Sequence, residues 1–145
     1  MTIFEALRSD HEIQRKLVKG LLATEATDPQ RKKLFVKLKR ELKVHALAEE
    51  RYFYIPLMKD GRTQEKARHS VAEHHELDEY IDKLENSEVS SAEWFETAEK
   101  MCKRVIHHLD EEEHEAFQMA GKALEEEQKK ELAEQYRMAM NEHGA

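Results

Sequence analysis

The chain has 145 residues, enough for one domain with a buried core, and it contains only four glycines and two prolines. Hydrophobic residues make up 39% and charged residues 38%, with a formal net charge of -7. That balance points to an all-α bundle with a charged surface, and interleaved basic and acidic residues exclude a nucleic-acid footprint.

The apolar spacing predicts a first helix over 3–24, with Phe4, Leu7, His11, Gln14, Val18 and Leu21 on its inward stripe. Asp28-Pro29 reads as an N-cap followed by proline at the first helical position. It opens a long second helix to about 58, with Leu34, Leu38, Leu42, His45, Glu49 and Phe53 on one face. Arg31-Lys32-Lys33 reads as a solvated face of that helix. Pro56 is expected to kink or close its last turn, because proline lacks an N–H and clashes with the preceding turn. Asp60-Gly61 is the break. A third helix over about 63–86 carries Val71, His74, Leu77, Asp78, Ile81 and Leu84. Ser90 or Ser91 caps a fourth helix over about 91–120, and Ser90 has Glu93 at the capping-box spacing. Its stripe runs through Trp94 or Phe95, Ala98, Met101, Val105, His108, Glu112 and the region of Glu115 and Ala116, and Gly121 interrupts it. A shorter terminal helix over about 123–141 offers Leu124, Leu132, Tyr136 and Met140 for packing. The fold class is thus all-α: an up-down four-helix bundle with an added short C-terminal helix, a single domain over 1–145 with its bundle core over about 1–120.

No apolar run is long enough to span a bilayer, so no membrane partner is expected. The opening Met1-Thr2-Ile3-Phe4-Glu5 lacks the basic flank and apolar run of a signal peptide. The single cysteine, Cys102, excludes an internal disulfide and reads as a buried small residue. A reducing, cytoplasmic setting is the expectation. The spacing leaves the oligomeric state open.

Four histidines stand out, one on each main helix: His11, His45, His74 and His108. Two of them have a glutamate four residues later, as His45/Glu49 and His108/Glu112. That spacing puts both side chains on one helix face, one turn apart. Glutamate is almost never buried unless paired or ligated, yet Glu49 and Glu112 fall on the same stripes as leucine and phenylalanine. Two cations between them would reverse the repulsion of two buried anions, and imidazole nitrogens would complete the coordination. Mixed histidine and carboxylate ligation suits iron, with manganese or zinc as competitors. The candidate metal ligands are His11, His45, Glu49, His74, His108 and Glu112, with Asp78, one turn beyond His74, as a further candidate. His75, His107, His69, His114 and His143 read as surface or supporting residues. Tyr52, Tyr54 and Tyr80 read as packing residues with their hydroxyls at the rim.

The order of these elements resembles the hemerythrin family in its bacterial HHE cation-binding form. The matching stretches are His11-Glu12-Ile13, His45 to Phe53, Glu73-His74-His75-Glu76-Leu77, and His108 to Glu113, within roughly residues 1–120. The resemblance implies a non-haem di-iron centre bridged by Glu49 and Glu112, with His11 and His45 favouring one iron and His74 and His108 the other. The oxygen carriers of that family have two histidines one turn apart on the third helix; this chain has Ser70 before His74 and Asp78 after it. That departure leaves one iron more open, or ligated by Asp78. It moves the expected function from reversible oxygen carriage toward sensing, storage or redox protection, with dioxygen or peroxide as the small-molecule ligand. Two further classes stand beside it: a di-iron oxidase or peroxidase acting in oxidative-stress protection, and a metal-free helical interaction module. The expectation leans to a metal- and oxygen-binding protein over an enzyme.

Overall fold

The computed structural model describes residues 1–144, with side chains described to Glu142; the surface assignment of His143 lies outside the described side chains. Helix α1 spans Ile3–Leu22 and α2 spans Pro29–Glu49. The second helix widens into a π turn over Glu50–Tyr54 and resumes as α3, Ile55–Met58. Helix α4 is Gln64–Glu85 and α5 is Ala92–Glu111; α5 also passes through a π turn, Glu112–Ala116, before α6, Phe117–Ala123. Helix α7, Glu126–Gly144, packs against α1 and α2. No strand occurs among the described residues, so the expected all-α bundle stands.

Local chemistry sets the helix starts. Thr2 and Glu5 form a reciprocal capping box on α1, a signal the sequence reading passed over. The Asp28 side chain accepts from the Gln30 N–H at 2.8 Å, with Pro29 in the first turn as expected. Of the two serines, Ser91 is the cap: its Oγ accepts from the Trp94 N–H at 3.1 Å. Trp94 then turns inward and donates from its indole to the Leu84 carbonyl at 3.0 Å.

Two expectations are corrected. Arg31 is buried, not solvated: its guanidinium donates to the Thr24 hydroxyl, the Thr24 carbonyl and the Val89 carbonyl, and it lies over the rings of Trp94 and Phe95. Only Lys32 and Lys33 of that basic stretch face solvent. Gly121 does not interrupt its helix, which ends at Ala123, where Leu124 turns extended. Pro56 lies in the last turn of the second helix as expected, directly after an irregular stretch. The π turn ends with the Ile55 N–H bonded to the Glu50 carbonyl, five residues back, and the helix runs on past the proline to Met58.

The interior consists of two apolar clusters with a polar layer between them. One holds Ile3, Leu7, Phe53, Tyr54, Leu57, Phe117, Leu132 and Tyr136. The other holds Val18, Leu21, Phe35, Leu38, Leu42, Ile81, Leu84, Trp94, Met101, Val105 and Leu109. Helices α1 and α4 run from the first cluster to the second, α2 and α5 from the second to the first, which is the up-down order. On each path the chain carries one buried histidine at or beside the middle layer: His11, His45, His74 and His108. Leu38 is wholly buried in the second cluster, far along α2 from His45. Replacing Leu38→Ala is expected to cost about 2–5 kcal/mol in chemical denaturation. An unchanged unfolding midpoint would contradict this placement of the core.

Candidate metal centre

The polar layer is built of six side chains that are almost free of solvent contact: His11, His45, Glu49, His74, His108 and Glu112. They fall into two sets that share both glutamates, His11-His45-Glu49-Glu112 and Glu49-His74-His108-Glu112. Within each set one donor atom per residue lies within 4.8 Å of the others. Each glutamate turns one oxygen to each set. Glu49 Oε2 lies 3.3 Å from His45 Nε2, and its Oε1 lies 3.2 Å from His74 Nε2. Glu112 Oε1 lies 3.1 Å from His11 Nε2, and its Oε2 lies 3.2 Å from His108 Nε2.

These separations fit metal coordination. Two donors about 2.1 Å from one ion and about 90–109° apart lie about 3.0–3.4 Å from each other. The hydrogen-bond inventory agrees. His11 Nε2, His45 Nε2, both oxygens of Glu49 and Glu112 Oε1 are buried without a hydrogen-bond partner. Several such orphans in one place are rare in folded proteins, and a cation in each of the two sets would satisfy all of them together.

The outer edges of the rings are held by neighbours that the sequence reading did not assign. Glu113 takes His11 Nδ1 at 2.6 Å and Glu73 takes His108 Nδ1 at 2.9 Å. His45 Nδ1 meets the Tyr136 hydroxyl at 2.6 Å. His74 Nδ1 is 3.6 Å from Glu50 and makes no hydrogen bond. Tyr54 is wholly buried, not at the rim as expected, and donates its hydroxyl proton to Glu112 Oε2. A faint signal existed for Tyr136, on the inward stripe of the last helix. None existed for Glu73 and Glu113, whose partners sit on other helices.

Asp78 is exposed and stands outside both sets, although it lines a cavity of about 20 Å³ with Gln14, His45, His74 and His108. His69, His75, His107 and His114 are exposed. His69 and His107 pair with Glu111, which also accepts from Lys66 Nζ at 2.6 Å. Lys66 thus supplies positive charge to Glu111 in that outer group. Cys102 is buried as expected, and burial pushes its thiol up to about 12.

Charge in the layer is strongly coupled. Burial pulls His74 and His108 down, but the facing carboxylates outweigh it and raise them to about 9 and about 10. His11 is likewise raised well above its ordinary value by Glu112, Glu113 and Glu49 against burial. Burial pushes Glu49 up, but the facing His45 and His11 imidazoles bring it well below the ordinary carboxylate range. Burial, with the nearby Glu112 and Glu49 charges, raises Tyr54 well above 10 and keeps it a phenol.

A helical bundle with a shared histidine–glutamate pair of sites across its middle defines the class: a metal-binding four-helix protein. The hemerythrin HHE cation-binding domain profile matches residues 2–120, and the chain belongs to that family. Neither the curated proteins nor the solved structures compared with it give a match. No helix among the described residues is long and apolar enough to cross a membrane.

The raised imidazoles fix the sign of a pH effect. Without metal, each contributes stability that is fully present below its ordinary 6.5 and is lost as pH rises through about 9 and about 10. A cation needs neutral rings, so binding at pH 7 must displace protons. Zn²⁺ added to the metal-free chain in weakly buffered solution with a pH indicator is expected to release protons at pH 7 and fewer at pH 10. Uptake without proton release would contradict the electrostatics described here.

Proposed function

We propose that the chain is a non-haem di-iron protein that binds or senses oxygen or iron. Its observed basis is the pairing of the two acids, each of which offers one oxygen to each histidine pair. On this reading Glu49 and Glu112 would be shared between two irons, with His11 and His45 holding one and His74 and His108 the other. Iron suits this donor set best, with manganese and zinc as chemical alternatives. When bound, a ferrous pair supplies two electrons for reaction with dioxygen or peroxide.

The chain's own residues set the conditions for that chemistry. Leu77 and Met101 belong to the apolar cluster on one side of the layer and Phe53 to the other, and both clusters keep bulk water from it. The small cavity beside His45, His74 and His108 has room for about one water-sized molecule. Gln14 lines it, and the Gln14 amide nitrogen is buried without a partner. These features support dioxygen or peroxide as the ligand, in a role of sensing, storage or redox protection.

One observation favours the second reading, a di-iron oxidase or peroxidase. The Tyr54 hydroxyl places a proton donor against Glu112, where the sequence showed no general acid beyond the ligands. Turnover of peroxide with an added reductant separates this reading from the first. A metal-free interaction module leaves the orphaned atoms of the layer unexplained.

Protein purified without added metal is expected to contain about two irons per chain by elemental analysis. Its optical spectrum is expected to gain ferric absorption in air and lose it under reductant. The Glu49→Ala and Glu112→Ala variants are expected to lose most of the iron. A folded, iron-reconstituted chain with no change in absorption on exposure to air would contradict the oxygen-reactive reading.

A further inference from the structure

Helix α7 lies beyond the matched family domain, which ends at residue 120. It is nevertheless packed on α1 and α2, and its Tyr136 is wholly buried. The Tyr136 hydroxyl touches two groups. It donates to Asp10 Oδ2 on α1, and it lies 2.6 Å from His45 Nδ1 on α2. Asp10 is itself buried and faces Arg137 of the same helix α7 at 3.6 Å. Asp10 and His11 are adjacent in sequence, so this contact and the metal layer meet at one turn of α1.

A phenol has one proton to donate. With that proton on Asp10, the oxygen receives a hydrogen bond from His45, and His45 must carry its own proton on Nδ1. Nε2, the atom facing Glu49 at 3.3 Å, is then left with a free lone pair. A second constraint is steric: the two rings meet edge to face at 5.9 Å, which limits rotation of the imidazole. The backing is unlike that of His11 and His108, whose Nδ1 atoms face carboxylates. A phenol makes the imidazole a weaker donor to metal than a carboxylate does, while still fixing its tautomer.

We infer that Tyr136, supported by Asp10, is a positioning residue for the metal centre, and that α7 is the element that locks His45 as the Nδ1–H tautomer with Nε2 aimed at Glu49. This rests on the proposed function for the identity of the ion, and on the hydrogen bonds alone for the tautomer. The terminal helix is therefore part of the site. It makes the two ion positions unequal, because His45, which Tyr136 backs, belongs to the His11–His45 position and not to the other.

The test uses the full chain and Co²⁺ as a visible probe, in parallel with nitrogen-15 NMR of the histidine rings in the metal-free chain. The unaltered chain is expected to bind two Co²⁺ and to show His45 protonated on Nδ1. Tyr136→Phe keeps the ring and is expected to weaken one of the two ions by roughly 10–100-fold and alter its absorption band, with the other ion unchanged. Asp10→Ala keeps the phenol but removes its acceptor. The hydroxyl proton then turns to His45 Nδ1, moving the imidazole toward the Nε2–H form and weakening the same ion. Asp10→Asn retains an acceptor and is expected to restore binding. Met138→Ala, exposed on the same helix, is expected to change neither ion. Equal binding of both ions and an unchanged His45 tautomer in Tyr136→Phe and Asp10→Ala would overturn the inference. Failure of the unaltered chain to take up Co²⁺ while His45 is protonated on Nδ1 would contradict the metal reading and leave the role of Tyr136 in setting the tautomer supported.

Discussion

Two carboxylates buried side by side in the middle of a helix bundle must be met by positive charge. Like charges about 4 Å apart repel by about 4 kcal/mol at an effective dielectric of 20, a large part of the net stability of a small domain. Glu49 and Glu112 are 0% and 1% exposed, so water does not relieve them. Four inward histidines surround them, and there are two ways to supply the charge: protons on the imidazoles or cations between the groups. The upward shifts of His11, His74 and His108 are the proton solution. The unpartnered His11 and His45 nitrogens, spaced from Glu112 and Glu49 oxygens as two ligands of one ion are spaced, are what the cation solution needs. Apolar clusters on both sides hold the layer in place and keep its dielectric low.

The two π turns belong to the same design. Each follows a histidine–glutamate pair: Glu49 ends α2 just before one, and Glu112 opens the other. A π turn adds one residue to the helical repeat, so the face that points inward advances by about a residue beyond the acid. That shift puts Tyr54 inside, with its hydroxyl on Glu112, and it turns Ala120 inward where a regular repeat would have placed Met119, which is 37% exposed. It also explains why Glu115, expected near the inward stripe, faces solvent while Ala116 and Phe117 are buried.

Much of this was readable before any coordinates. Apolar periodicity, the cap at Asp28 and the Ser90–Ser91 pair located the helices, and inward placement separated His74 from His75 and His108 from His107. What escaped was decided across helices or by a break in the repeat. Arg31 looked like a surface charge because its carbonyl partners come from Thr24 and Val89, and a backbone acceptor leaves no mark in side-chain spacing. Tyr54 was misplaced because periodicity assumes an unbroken α-helix. Glu73 and Glu113 back histidines on other helices, a pairing set by tertiary geometry. Asp78 shared a stripe with His74, yet the actual face of α4 leaves it exposed and outside both donor sets.

The dependence of the fold on positive charge in its middle layer is measured most directly by denaturant unfolding of the full chain under argon, with and without two equivalents of Fe²⁺, for the unaltered chain and for a Glu49→Gln/Glu112→Gln double variant. A ligand that binds only the folded state at about 100 times its dissociation constant adds about 2.7 kcal/mol. The unaltered chain is expected to gain at least that much on addition of the ion, and the double variant to gain almost nothing. An unaltered chain whose midpoint ignores the ion, or a double variant that responds as strongly, would contradict the claim that cations between the two acids complete this structure.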